Sequence, residues 1–553
     1  MYLVTASEMQ EMDRRTIETF GIPGRVLMEN AGRGTTDFLI EQFPHIASLR
    51  VGIIAGRGNN GGDGFVIARY LAQRDVDVTV YLLAETAGLG GDAAANFELL
   101  ALLGVSVIVL PDSKTFDRAK DSLRDRDLWV DAILGTGLKS DVRGYYREAI
   151  DFINSLAKPV LSVDVPSGLN ADNGQPCGTS IRACATATFA FAKTGHCQHP
   201  GAELTGKLRV IDIGIPPHIA EEVGPKQFLL TPDDIRGYLR PRPPNTHKGR
   251  AGHMFVLAGS PGKTGAAAMA ALAAMRAGAG LVTLGVPQSL EPIVATHSLE
   301  VMTAALPETN DGVLGEASLD AILRLLQDKR CLALGPGMGQ TDETRSLVHQ
   351  LLAQCRLPLV IDADGLNNIA GATDKLRQCA APVVITPHPG EMARLVETSV
   401  KTVQANRIAC ARDFSQAFKV HIVLKGAGTV IAHPDGFVFT NSTGNPGMAS
   451  GGMGDVLTGL IAGLIAQGFA VEAACHLGVY LHGAAADSLA AQKGPWGYLA
   501  SDLMNRIPSE ILSRSAHPDT VTPCEADPSD RCVSVGNWIY EAPQNKSNDT
   551  LGR

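Results

Sequence analysis

Short apolar runs alternate along the first half of the chain with stretches that carry apolar residues at helical spacing. Runs of strand length read as buried strands, and the 3.6-residue period reads as amphipathic helix. Residues 1–40 carry the helical pattern, with Thr5 and Glu8 spaced as a capping box and Leu27, Met28, Ala31 and Phe38 on a second helix. Strands are predicted at 50–55, 75–83, 105–110, 128–134, 159–163, 186–191 and 208–213, with a helix over 91–103. This alternation predicts an α/β domain built on a doubly wound parallel sheet. Pro216-Pro217 marks a break, so the first domain is expected over 1–217, followed by a polar connector over 218–230.

The second half repeats the alternation. Strands are expected at 252–258, 281–286, 332–334, 359–361, 383–385 and 421–424, and a hairpin at 430–432 and 437–439 around Pro434-Asp435-Gly436. Helices of small residues are expected over 266–277 and 468–488. This second domain spans 231–512. Beyond 513 the apolar periodicity fades and the tail, 513–553, reads as disordered or loosely attached, with Trp538, Ile539 and Tyr540 available to dock.

Candidate chemistry gathers where strands end. Arg50–Ala55 is followed by GRGNNGGDG, which lacks the dinucleotide-binding spacing and adds the side chains of Asn59, Asn60 and Asp63. The strand at 128–134 carries Asp131 and then GTGLKSD, and the strand at 159–163 runs into Asp164-Val165-Pro166-Ser167-Gly168. Ligands of open parallel sheets bind beyond the carboxyl ends of the strands. Asn60, Asp131 and Ser167 are therefore expected to converge, with the Asn60 carbonyl suited to a hard cation. Asp164 beside them suits acid/base work, although capping a turn before Pro166 fits it too. An ordinary Asn-Gly surface turn is the rival reading of Asn59–Gly64.

The second domain has the same layout. GSPGKTGA after 252–258 lacks the order of a Walker loop. GPGMG follows 332–334, Asp362 and Asp364 follow 359–361, and His388 sits between two prolines that fix its backbone. Lys425-Gly426-Ala427-Gly428-Thr429 offers a point charge and close approach to a phosphate. The chain then reads NSTGNPGMASGGMGDVLTG over 441–459, a glycine loop entering an apolar helix, with Asp455 its acid. Free amides of a first helical turn can cradle an anion. A carboxylate there makes sense if Asp455 takes a proton from a hydroxyl while the amides hold a phosphoryl group. Asp455 as a plain N-cap fits the same letters.

Composition narrows the classes. The formal charge is −9 and no long basic patch occurs, which argues against nucleic acid. No apolar run reaches transmembrane length, and the start is polar too early for a secretory signal. The ten cysteines form no Cys-x-x-Cys pair, which suits a reducing cytoplasm. His196, Cys197 and His199 lie close together without a second ligand cluster, so no structural zinc is expected.

These motifs, in this order over residues 3–511, resemble the bifunctional NAD(P)H-hydrate repair enzymes. The resemblance implies a Rossmann-like epimerase domain followed by a ribokinase-like dehydratase domain that uses ADP or ATP. It implies NADH-hydrate and NADPH-hydrate as substrates, with Asp164 interconverting their R and S forms. Asn59, Asn60, Gly61, Gly62 and Asp63, with Gly135, Thr136, Gly137, Leu138, Lys139, Ser140 and Asp141, would touch that substrate. Potassium would lie on Asn60, Asp131 and Ser167. In the second domain Lys425, Gly426, Ala427, Gly428, Thr429 and Gly454 would contact the adenine nucleotide, with magnesium on its phosphates. Ala251, Gly337, His388 and the catalytic Asp455 would face the S-hydrate. Self-association into a homo-oligomer is a further expectation. Two other classes share part of the pattern: a ribokinase-like small-molecule kinase and a non-catalytic nucleotide-sensing protein.

Overall fold

Branched and leucine-rich runs of the first half become one parallel sheet in the computed structural model. It describes residues 1–515 apart from Lys139 and Ser298, together with short strands at Val533–Val535 and Trp538–Tyr540. The rest of the predicted tail lies outside the described residues. The described chain divides into two compact units: Tyr2–Gln227 together with the two short C-terminal strands, and Met1 with the described stretch from Phe228 to Ser515.

The first unit is built on β1 (Arg50–Ala55), β2 (Asp77–Leu82), β3 (Ser106–Val109), β4 (Leu128–Ala132), β5 (Val160–Val163), β6 (Ala185–Phe189) and β7 (Lys207–Ile211). They lie in the order β7-β6-β5-β4-β1-β2-β3, all parallel. Val51, Ile53, Val130 and Leu161 are fully buried in it, as expected for strands covered on both faces. Trp538–Tyr540 adds a parallel pairing to β7.

Helix α1 (Ala6–Arg14) starts on the predicted capping box, with Glu8 N donating to Thr5 Oγ1 at 3.2 Å and Thr5 N donating to Glu8 Oε2 at 2.7 Å. The helical pattern of 1–40 forms the two expected helices: a π-turn over Arg15–Phe20 stops at Gly21, whose φ is 93°, and α2 spans Gly24–Gln42. One difference bears on function. GRGNNGGDG is a loop only as far as Gly58, and α3 runs from Asn59 to Ala72. The glycines serve packing, since a Cβ on Gly61 would lie 2.0 Å from the Gly56 carbonyl oxygen and one on Gly64 would lie 2.8 Å from Ala132 Cβ. The stretch read as a connector contains a helix over Pro217–Val223 and a strand over Gln227–Leu230.

The second unit carries β8 (His253–Leu257), β9 (Leu281–Pro287), β10 (Met302–Leu306), β11 (Cys331–Leu334), β12 (Leu359–Ile361), β13 (Val383–Ile385), β14 (His421–Leu424), β15 (Val430–Ala432) and β16 (Val438–Asn441). The order is β10-β9-β8-β11-β12-β13-β14-β15-β16, parallel up to β14 and antiparallel beyond it. One face is covered by α4 (Thr264–Ala277) and α5 (Met453–Ala466). A Cβ on Gly459 would lie 2.0 Å from Ala270 O, and one on Gly463 would lie 2.8 Å from Ala274 Cα. Those pairs advance together, so the helices run parallel in close contact, and small residues allow that approach. Because α4 follows β8, both helices begin at the carboxyl edge of the sheet. Among the described residues no helix is long and apolar enough to cross a membrane.

Candidate active sites

In the first unit a buried hydrogen-bond web forms at the ends of β4 and β5. Asp131, wholly buried, accepts from Ser167 Oγ at 2.5 Å, Ser167 N at 2.8 Å, Ser162 Oγ at 2.8 Å and Ile133 N at 3.3 Å. Burial pushes its pKa up against those four donors. Ser167 Oγ also meets Leu134, accepting from its N–H at 2.8 Å. Asn60 stands in the first turn of α3, and a Cβ on Gly135 would lie 3.5 Å from its Oδ1. Its Nδ2 is buried with no partner. The unsatisfied Nδ2 is a donor that calls for an oxygen acceptor, while the side-chain oxygens of Asn60, Asp131 and Ser167 form a hard set. That chemistry fits a potassium ion, although among the described residues no group of three His, Cys, Asp or Glu could hold a metal.

Asp164 follows β5 with φ at 63°, unusual for a residue with a side chain. Its Oδ1 accepts from Lys193 Nζ at 2.5 Å and Thr188 Oγ1 at 3.1 Å. Asp13 on α1 and Asp63 on α3 face the same pair: burial and the Asp164 charge raise both, Asp13 to about 6 and Asp63 well above the usual range. Turn residues Gly135, Thr136, Gly137, Leu138, Ser140 and Asp141 are partly or fully exposed after β4; Lys139 lies outside the described residues. His196 and Cys197 are buried and His199 is not, which separates the three residues of the rejected zinc cluster.

In the second unit the strand ends of β11 to β14 meet the starts of α4 and α5. Gly452, at φ 86°, is the residue before α5 and no side chain caps it. Asp455 is the third residue of the helix, so the N-cap reading of this residue fails. The N–H groups of Met453, Gly454 and Asp455 have no partner among the described residues. The Asp455 carboxyl accepts no hydrogen bond either, and burial plus the charge of Asp362 raises its pKa to about 6.

Lys425, expected to offer a point charge to a phosphate, donates to Asp362 Oδ1 at 2.6 Å and lies 3.8 Å from Glu391 Oε2. Burial works against its ammonium, but Asp362 and Glu391 outweigh burial and hold its pKa above the usual lysine value. Thr458 Oγ1 fixes the other oxygen of Asp362 at 2.8 Å. A Cβ on Gly454 would lie 3.3 Å from Lys425 Nζ, so only glycine leaves that gap open. Gly426, at φ 141°, lies over buried Arg407, which donates to the carbonyls of Leu424 at 3.0 Å and Lys425 at 3.2 Å. Thr429 Oγ1 closes the turn over Ala427 and Gly428 onto Gly426 O at 2.9 Å.

His388 has a structural duty that its sequence context hid. It caps the helix Pro389–Leu395, its Nδ1 accepting from Gly390 N at 2.9 Å and Glu391 N at 3.3 Å. The acceptor role of Nδ1 puts the proton on Nε2. Gly337, at φ 63°, packs against Lys263, whose Nζ donates to Asp364 Oδ2 at 2.9 Å. Ala251 is not brought here. It precedes β8, and a Cβ on the next residue, Gly252, would touch Ala466 O at 1.9 Å, at the opposite end of α5 from Asp455.

A family model described as NAD(P)H-hydrate dehydratase matches residues 254–509, and one described as YjeF-related protein N-terminus matches 24–195. A bifunctional NAD(P)H-hydrate repair enzyme of Moorella thermoacetica is 44% identical over 522 residues, covering 94% of this chain and 98% of its own. The chain belongs to the bifunctional NAD(P)H-hydrate repair enzymes. Another repair enzyme, from Escherichia coli, is 35% identical over 508 residues, 91% of this chain and 92% of its own. The solved ADP/ATP-dependent NAD(P)H-hydrate dehydratase of Bacillus subtilis is 32% identical and covers 52% of this chain and 99% of its own, with a TM-score of 0.46.

For a repair enzyme, several residues here escaped the reading of motifs. Lys193 and Asp13 stand outside the glycine turns, and Thr458 looks like one more helix residue. Lys193 had a signal: a lone lysine directly after an apolar strand, where a buried charge needs a partner.

Proposed function

We propose that the protein restores hydrated nicotinamide cofactors with two sites. The first unit interconverts R- and S-NAD(P)H-hydrate, with Asp164 moving the proton. The second dehydrates the S form with cleavage of ADP or ATP. Family membership across most of the chain supports both halves. The observation that carries the dehydratase half is Asp455: a half-buried carboxyl without a hydrogen-bond partner, beside the free amides of a first helical turn.

The chemistry follows from leaving groups. Hydroxide departs poorly from a ring carbon, and phosphate departs well. Asp455 takes the proton of the hydrate hydroxyl as that oxygen attacks the terminal phosphoryl group of the nucleotide. The amides of Met453 to Asp455 hold the charge that develops on the phosphoryl oxygens. The ring nitrogen then expels phosphate, leaving an iminium at C6, and loss of a proton from C5 to solvent returns the reduced ring. A pKa of about 6 leaves Asp455 ionised at neutral pH yet basic enough to accept that proton. Lys425, Gly426, Ala427, Gly428, Thr429 and Gly454 form the nucleotide side of this proposal, and Gly337 and His388 the hydrate side. Ala251 could join the hydrate side only through another copy of the chain. Magnesium would come with the phosphates, where a hard cation offsets their charge. Potassium would rest on Asn60, Asp131 and Ser167, neutralising charge beside the hydrate.

A reducing cytoplasm is part of the proposal, supported by eight free cysteines among the described residues. Self-association is part of it as well, as is the absence of nucleic-acid and membrane partners. The test supplies mixed R and S hydrates with ADP or ATP and follows recovery of reduced-cofactor absorbance. Asp455→Asn is expected to stop recovery. Asp164→Asn is expected to spare the S portion and slow the R portion to its spontaneous rate. Unchanged recovery in Asp455→Asn refutes the assigned base.

A further inference from the structure

Lys193 is wholly buried, a state lysine adopts only when its charge is answered. Its ammonium has three protons, and three acceptors take them: Asp164 Oδ1 at 2.5 Å, Thr188 Oγ1 at 2.9 Å and Phe189 O at 3.0 Å. No donor remains for a ligand. Asp164 Oδ1 collects further bonds from Thr188 Oγ1 at 3.1 Å and Phe189 N at 3.4 Å. Its Oδ2 accepts none from the described residues. One oxygen of the carboxylate is therefore anchored and the other is free.

The surroundings explain why a cation is needed there. Asp13 from α1 and Asp63 from α3 face this pair, and each adds a potential negative charge. His196 adds no positive charge, because burial and Lys193 push its pKa down to about 3, and its Nδ1 accepts from Lys193 N at 3.1 Å. Lys193 is thus the cation that answers Asp164 inside the cluster.

We propose that Lys193 is the positioning residue of the epimerase site: it fixes Oδ1 of Asp164 so that Oδ2 meets the hydrate and exchanges the proton. Lys193, with its three donor positions taken by protein acceptors, acts only through Asp164. This rests on the reading of Asp164 as the acid/base group.

The test uses the full chain, S-hydrate without nucleotide, and chromatographic measurement of R-hydrate formed across pH, corrected for the spontaneous rate. Without nucleotide the dehydratase is silent. Lys193→Met removes the answering charge, so the acid limb of the profile should move up by about one pH unit or more. The rate at neutral pH should fall roughly tenfold or more. Lys193→Arg should leave the limb near its original place. Thr188→Val, which removes one bond to each partner and keeps the shape, should move the limb in the same direction by less. Thr188→Val decides the matter if Lys193→Met does not fold. An unmoved acid limb in the folded variants, with rates that merely follow lost thermal stability, overturns the proposal. An Asp164→Asn enzyme that still epimerises would instead sink the reading beneath it.

Discussion

Both units hold a lysine paired with a carboxylate, wholly buried in the first and half-buried in the second, and the pairs differ in which carboxylate the ammonium faces. In the first unit Lys193 grips Asp164, the group with the assigned chemistry, at 2.5 Å. In the second, Lys425 grips Asp362 at 2.6 Å and leaves Asp455 without a hydrogen bond. A cation on a carboxylate favours its ionised form and fixes its direction. A half-buried carboxyl without such a grip gains proton affinity, which Asp455 shows with a pKa of about 6. The same two residue types thus give an anchored group in one place and a proton acceptor in the other.

The largest test of that contrast is Asp455→Asn. Loss of a general base should lower dehydration by about 10³-fold or more. Conversion of S- to R-hydrate without nucleotide should continue at the normal rate, because no residue of the first unit changes. Substantial dehydration in the variant would break the contrast. Gly459→Val comes next. Its Cβ would start 2.0 Å from Ala270 O, a backbone atom that cannot swing aside. The added bulk should destabilise the second unit by about 3 kcal/mol. Activity measured along a urea series checks this: dehydration should fail at lower urea than in the parent, and epimerisation should hold.

Much of the layout is legible in the letters. Leu359–Ile361, Val383–Ile385 and His421–Leu424 stand where their apolar runs place them, because a buried parallel strand needs little beyond such a run. The convergence of Asp131 and Ser167 also follows from strand ends on one edge of a sheet. Other features depend on contacts far away in sequence. Asn59–Gly64 reads as a loop because glycine disfavours helix, yet those glycines let α3 settle on Gly56 and Ala132. That Lys425 meets Asp362 depends on β12 and β14 lying on either side of β13, which no local pattern reveals. His388 caps a helix and brings Nε2 3.4 Å from Glu391 Oε1, so its two prolines have a structural reason as well.

A pH series sharpens the contrast at moderate scale. In its proposed role as base Asp455 must be ionised, and its pKa is raised to about 6. Dehydration should therefore be full at higher pH and fall roughly tenfold per unit once the pH drops below about 6. The measurement uses S-hydrate with saturating nucleotide. A dehydration rate that holds level down to pH 4 would show that another group takes the proton.

The smallest expected effect concerns the oxygen cluster of the first unit. Asp131 already accepts four hydrogen bonds, so it has little capacity left for a cation. In the proposed potassium site the carbonyl of Asn60 and the hydroxyl of Ser167 would then carry much of the coordination, and neither is charged. Binding through neutral oxygens should be modest and sensitive to the loss of one of them. Asn60→Ala removes a single ligand worth about 1 kcal/mol, so the potassium concentration for half-maximal epimerisation should rise roughly fivefold. Titration with potassium chloride at ionic strength fixed by choline chloride reads this directly. Dehydration should respond identically in parent and variant, since the second unit keeps every group it uses. If epimerisation by Asn60→Ala keeps the parent's potassium dependence, the cation does not rest on Asn60. The unpartnered amide of that residue would then point to the hydrate instead.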